Sequence, residues 1–232
     1  TSGYNNILIG NKAGTNLTTA AQNTVIGINA LDAATTGIHS NVAIGDNAMG
    51  VTTGADMCTV VGSNAGGNGN MTSAADGTIA IGNSSLLELT TGAGNTVIGF
   101  EALSTATGSN YNTAIGYQAL KVQTPYQASS TESGLNTAVG YQAGVAVTFG
   151  HENTLMGYKA GAAITTGYQN VAIGNTALDA LTVGRVNVAV GHGALGGEDV
   201  GTGTIAIGYL AAHRQNSEDK IQIQTMNKLK TQ

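Results

Sequence analysis

One nine-residue phrase recurs along nearly the whole chain, and its spacing constrains the fold more than any other feature. It reads NTVIGFEAL at 95–103, NTAIGYQAL at 112–120 and NVAIGNTAL at 170–178. Twelve copies align on the glycine that follows the apolar pair, and eight of the eleven intervals between these anchor glycines are 17 residues long. The anchors are Gly10, Gly27, Gly45, Gly62, Gly82, Gly99, Gly116, Gly140, Gly157, Gly174, Gly191 and Gly208. A near-constant period over residues 1–212 predicts a repeat β-solenoid instead of a globular core.

The residues just before each anchor predict a short strand. The third residue before the anchor is Ile, Val or Thr in every copy, and the residue directly before it is Ile or Val in eleven of twelve. β-Branched residues at alternate positions suit a pleated strand and share one face of it. The residue between them is always apolar, and it is alanine at Ala43, Ala80, Ala114, Ala138, Ala172, Ala189 and Ala206.

A strand that is apolar on both faces is expected to be buried on both faces. A coil of 17 residues is too thin to bury two faces alone, so one face is predicted to fill the coil and the other to meet partner chains. We predict that the small alanine column allows subunits to approach closely, which would place these alanines at an oligomer interface or core.

Two further columns predict the turns. Asn stands four residues before the anchor in nine copies, and stacked amides can hydrogen-bond along the axis of such a fold. The predicted ladder includes Asn95, Asn112, Asn136, Asn153, Asn170 and Asn187. The anchor glycine permits a positive φ or a close backbone approach where the strand bends. Thr-Thr-Gly phrases suggest a second turn, so we expect two short strands and two turns per coil.

Composition and motif spacing argue against several classes of function. The net charge of −5 gives no basic surface for nucleic acid, and no apolar run reaches the roughly 18 residues of a membrane span. GHGALG at 191–196 fits a dinucleotide fingerprint, but its residues belong to repeat columns and no helix follows. The histidines lack metal-ligand spacing and no acidic pair recurs. We therefore expect no cofactor, no metal and no enzyme activity.

The residue after the anchor is aromatic in four consecutive copies. These residues are Phe100, Tyr117, Tyr141 and Tyr158. Coils of a solenoid lie about 4.8 Å apart, so the rings are expected to form a continuous ladder. Such a ladder either stabilises the fold by stacking, as cross-strand aromatic pairs do, or presents a binding platform.

A second candidate for binding is the longest interval between anchors. The segment 121–135 carries seven extra residues and includes Lys121, Pro125 and Tyr126. An insertion in a solenoid is expected to leave the coil as a loop, and loops on rigid scaffolds often carry binding. The segment is either tolerated decoration or a binding loop.

The C-terminal residues 213–232 depart from the repeat. The phrase KIQIQT at 220–225 alternates like a half-exposed strand. Solenoids need a cap at an open end, so this segment is predicted to be a cap or a junction to a following module. We expect the chain to be a segment of a longer protein.

The phrase N-[TV]-[AV]-[IV]-G-x-x-A resembles the head repeat of trimeric autotransporter adhesins, and it is similar to repeats of bacteriophage tail fibres and receptor-binding proteins, where GYQAL-type variants are frequent. The resemblance implies an all-β, left-handed parallel β-roll of twelve coils of about 17 residues, a homotrimer, and a structural or adhesive role. Adhesin heads usually have shorter coils. The Tyr-Gln variants and the lack of an adhesin-type stalk favour a tail fibre on the virion.

Two alternatives remain at this stage. One is an adhesin head on the bacterial cell surface, and in either case a host glycan or protein is the expected partner. The other is an ice-binding solenoid, against which it counts that threonine fills only six of the twelve positions in its column.

Overall fold

The computed structural model describes residues 3–34, 37–124, 134–197 and 199–213, and the backbone of 221–223. These residues form one parallel sheet of thirteen strands in chain order, with one strand for each of the twelve repeats. The strands are β1 Ile7–Ile9, β2 Thr24–Ile26, β3 Val42–Ile44, β4 Thr59–Val61, β5 Ile79–Ile81, β6 Thr96–Ile98, β7 Thr113–Ile115, β8 Thr137–Val139, β9 Thr154–Met156, β10 Val171–Ile173, β11 Val188–Val190, β12 Ile205–Ile207 and β13 Ile221–Ile223. A short 3₁₀ helix, Ser73–Ala75, lies in the insertion of the 20-residue interval. The predicted all-β parallel solenoid is confirmed.

All neighbouring repeat strands pair in one register, so equivalent residues of successive repeats lie side by side. Ala114 pairs with Ala138 across the longest interval in the same way as Ala172 pairs with Ala189 across a regular one. On the near side of the insertion, Thr124 donates its N–H to the carbonyl of Thr148. On the far side, Gly134 is bridged to Asn110. The extra residues therefore leave the coil without shifting the register of the strands around them.

The middle residue of each repeat strand from β2 to β12 points into the coil. All seven alanines of this column are at most 1% exposed within the single chain. A side chain that is already covered by its own chain cannot contact a partner, so the prediction that the alanine column meets partner subunits is wrong, and these residues belong to the core. The alanines are small because the coil is narrow: the opposite wall carries a second buried alanine column, represented by Ala119.

The bulk that fills the core moves between positions from coil to coil. In the coil of β7, Ala114 is accompanied by the buried Leu120. In the coil of β9 the strand itself supplies Leu155, and glycine occupies the position equivalent to Leu120, at Gly161. A Cβ atom on Gly161 would lie 2.7 Å from Leu155 Cδ2. The core therefore conserves volume across columns, as close packing requires.

The predicted second strand of each coil is present only as isolated bridges, such as those joining Tyr4, Ala21 and His39. The residue that follows the bridge position has a positive φ in every coil, including Tyr111 at 55° and Glu152 at 56°. A left-handed residue interrupts extended backbone. The expectation of two strands per coil is therefore wrong, and each coil has one strand of three residues.

The tail adds one more strand to the stack. Ile221 pairs with Ile205 in the same parallel register, so the strand predicted in KIQIQT is confirmed for 221–223. The division into a repeat unit at 1–212 and a cap or junction at 213–232 stays a prediction.

Candidate functional site

The predicted aromatic ladder is present on the turn that follows the strands. Anchor glycines such as Gly116, with φ of 135°, turn the chain so that the next side chain leaves the coil. Ring centroids are 5.4 Å apart for Phe100 and Tyr117, 5.2 Å for Tyr117 and Tyr141, and 5.3 Å for Tyr141 and Tyr158. The ring planes differ by 9° or less, and the four side chains are between 41% and 46% exposed. The rings are both stacked on one another and accessible.

A row of polar side chains runs beside the rings, one residue further along each coil. Gln142 Nε2 donates to Gln118 Oε1 at 2.9 Å, and Gln118 Nε2 donates to Glu101 Oε2 at 2.8 Å. We call Phe100, Tyr117, Tyr141 and Tyr158 the aromatic ladder, and Glu101, Gln118 and Gln142 the amide row. Sequence reasoning missed the amide row, although its signal was available in the polar letters that follow each aromatic residue.

Charges lie at both ends of this surface. Lys121 Nζ donates to Glu101 Oε2 at 2.7 Å, and hydrogen bonds from Lys121 and then Gln118 hold the pKa of Glu101 below its ordinary value. At the other end, Lys159 Nζ lies 5.5 Å from the centroid of the Tyr158 ring, within the range of a cation–π contact. Lys121 was predicted to belong to a binding loop, and the structure places it on the carboxylate of the amide row.

The other two residues predicted for that loop, Pro125 and Tyr126, lie outside the described residues. The structure brings neither of them to the aromatic ladder, and the binding role of the loop stays a prediction.

The predicted asparagine ladder is present and internal. Each of its amides accepts from the backbone N–H and side chain of the next asparagine, as Asn112 Oδ1 does from Asn136. The Asn136 side chain also donates to the carbonyl of Gly150 at 3.0 Å. These asparagines are at most 1% exposed, so the ladder holds coils together and is closed to a ligand.

Two smaller stacks were not predicted. Threonines at the second turn form a ladder in which Thr148 Oγ1 donates to the carbonyl of Thr165, and Thr165 Oγ1 to that of Thr182, each at 3.1 Å. On another side of the coil, the rings of His151 and Tyr168 stack at 4.9 Å and Arg185 lies over Tyr168. Their sequence signal is repetition of one residue type, or of planar groups, at the 17-residue period.

The described residues do not form a reactive centre. Burial raises the pKa of the Cys58 thiol to about 11, which keeps it protonated and unreactive near neutral pH. Burial also raises the pKa of Asp179, which lies near His213 beside Gly196. Within the described part of the chain, no group of three or more His, Cys, Asp or Glu residues could hold a metal ion. In that same part, no helix has the length and apolar character that crossing a membrane requires.

Comparison of the chain with protein-family models, with curated proteins and with solved structures finds no match. The functional argument therefore depends on the geometry of the solenoid and its exposed columns.

Proposed function

We propose that this chain is a structural and adhesive segment of a homotrimeric fibre, most plausibly of a bacteriophage tail fibre or host-recognition protein on the virion. The observation that carries the proposal is an apolar sheet face left open on the single chain. This outer sheet face consists of the first and third residues of β1–β12, and every one of them is Thr, Ile, Val or Met.

The outer sheet face is exposed although its residues are those of a buried strand. Ile98 is 37% exposed, Met156 41% and Ile207 40%. Parallel sheets are normally covered on both faces, because apolar area on either side is stabilised by removal from water. The coil interior covers one face here, so partner chains are the natural cover for the other.

The dimensions of this face suit a contact along the fibre. Twelve strands at about 4.8 Å spacing give a length of about 53 Å, and three residues at about 3.3 Å each give a width of about 10 Å. The resulting footprint of roughly 500 Å² is comparable with the largest apolar patches on monomeric proteins, which are often functional. Because the face carries no charge, copies of this chain can pack on it without burying an unpaired ion.

The test compares two neighbouring residues of β7 that point in opposite directions. Ile115→Glu places a charge on the outer sheet face, and Ala114→Glu places one in the core. We expect wild type to be a trimer by multi-angle light scattering, Ile115→Glu to give folded monomers by circular dichroism, and Ala114→Glu to unfold. A folded wild-type monomer at micromolar concentration would contradict the proposal.

The alternative within the same class is the head of a trimeric adhesin on a bacterial cell surface. Neighbouring virion genes in the source genome would support the tail fibre, whereas a membrane anchor downstream in the full-length gene would support the adhesin. Ice binding is the weaker alternative, because threonine shares its column on the outer sheet face with Ile and Val. Thermal hysteresis in solution would revive it.

A further inference from the structure

We propose that the aromatic ladder and the amide row together bind an extended, uncharged polysaccharide that lies parallel to the solenoid axis, with one sugar unit per coil. The proposal deepens the adhesive role proposed above and rests on it. It concerns four consecutive coils, those that carry Phe100, Tyr117, Tyr141 and Tyr158.

The first argument is periodicity. The ring centroids repeat every 5.2 to 5.4 Å over four coils, a distance close to the length of one pyranose unit in a straight glycan. A linear polymer of identical units can therefore meet the same pair of groups, one ring and one polar side chain, at each coil. A globular protein partner has no such repeat to match.

The second argument is the pairing of apolar and hydrogen-bonding groups. Sugars combine C–H faces with hydroxyl groups, and sites for such ligands combine aromatic surface with a few placed polar groups. Parallel stacking covers much of each ring face, so the ladder offers ring edges and tyrosine hydroxyls to solvent. A ligand that lies along it would contact those edges and hydroxyls at every coil.

The third argument is the hydrogen-bonding capacity that the amide row retains. A side-chain amide has two N–H donors and an oxygen with two lone pairs. The bonds within the row use one donor and one lone pair of Gln118, and one donor of Gln142. Both amides are held in place by these bonds and keep further donors and acceptors for ligand hydroxyls.

The fourth argument concerns charge. Glu101 is the only acidic member of the row, and it is paired with Lys121 and hydrogen-bonded to Gln118. The coils of Tyr117 and Tyr141 carry no charge in either column. A neutral glycan can occupy this surface without desolvating an unpaired charge, whereas an anionic one would gain only Lys159 at the upper end.

The experiment is isothermal titration calorimetry of the assembled protein with three uncharged linear hexasaccharides: cellohexaose, mannohexaose and xylohexaose. We expect at least one to bind. Replacing both Tyr117 and Tyr141 by Ser should weaken that binding by roughly tenfold or more, while replacing both by Phe should retain part of it. Gln118→Ala should also weaken it. The matched control is Tyr168→Ser, which removes a stacked ring from another side of the coil and should leave the affinity unchanged.

Three results would overturn the inference. They are an absence of binding to all three hexasaccharides at millimolar concentration, an unchanged affinity in the folded double-Ser variant, and dissociation of the trimer by that variant, which would make the ladder a subunit contact. Light scattering on the same samples separates the two proposals. An intact trimer that binds no glycan contradicts this inference alone, whereas a monomeric wild type contradicts the proposed fibre.

Discussion

The side-chain oxygen of Asn136 accepts hydrogen bonds from both the backbone N–H and the side-chain amide of Asn153, at 3.0 and 3.1 Å. The same arrangement joins Asn153 to Asn170, and Asn170 to Asn187. Because these groups are buried, the ladder satisfies donors that water cannot reach. Each amide therefore supports the coil after it.

Asn136→Ala should lower the free energy of unfolding by about 2–4 kcal/mol, since it leaves the buried N–H groups of Asn153 without an acceptor. Urea denaturation followed by circular dichroism measures the change. Asn175→Ala is the control: this asparagine is exposed, and its loss should cost less than about 0.5 kcal/mol. Equal effects of the two substitutions would show that the ladder contributes nothing specific.

Gly116→Ala should be much more destabilising than Gly77→Ala. Both glycines have positive φ, at 135° and 70°, but a Cβ on Gly116 would clash with the backbone of Gly140, whereas one on Gly77 meets no atom within 4 Å. We expect Gly77→Ala to cost about 1–2 kcal/mol from backbone strain alone. Gly116→Ala adds a clash with a backbone that cannot move aside without disturbing the sheet. Similar melting temperatures for the two variants would contradict this account.

Leu155 and Gly161 should be energetically coupled. Leu155→Ala removes core bulk and is expected to cost about 2–5 kcal/mol, and Gly161→Leu alone should overpack the same space. The double variant reproduces the arrangement of the next coil, where Ala172 accompanies Leu178. A double-mutant cycle by urea denaturation should therefore show favourable coupling of about 0.5–3 kcal/mol. Additive effects would mean that the two positions do not share volume.

Cys58 should make stability fall at high pH. Burial raises its folded-state pKa from 9.0 to about 11, so between these values the folded chain holds a proton that the unfolded chain releases. Its contribution is complete below about pH 9 and is lost as the pH rises toward 11, by about 2–3 kcal/mol in all.

The control for this effect is Cys58→Ser, which keeps a hydrogen-bond donor near the carbonyl of Asp56 but does not titrate in this range. The difference in unfolding free energy between wild type and variant should shrink over this pH interval. A constant difference would contradict the prediction.

The sequence by itself determined the parts of the fold that depend on local pattern. The constant interval between anchors such as Gly99 and Gly116 predicted the stack and its register, because each coil repeats the same short-range conformation. β-Branched residues located the strands, and the asparagine column predicted the internal ladder, because in-register stacking brings equal side chains together. The same logic predicted the aromatic ladder.

Tertiary structure alone decided which face of each strand lies inside. Alternation separates Thr113 and Ile115 from Ala114, but it is symmetric, and because all three positions are apolar or weakly polar it does not say which set points inward. Closure of the coil decides this. The buried column of Ala119 leaves room for only a small side chain from the strand, so Ala114 faces inward and Ile115 outward. Likewise, the positive φ of Tyr111 is set by the path of the closed coil, and it reduces the expected second strand to isolated bridges.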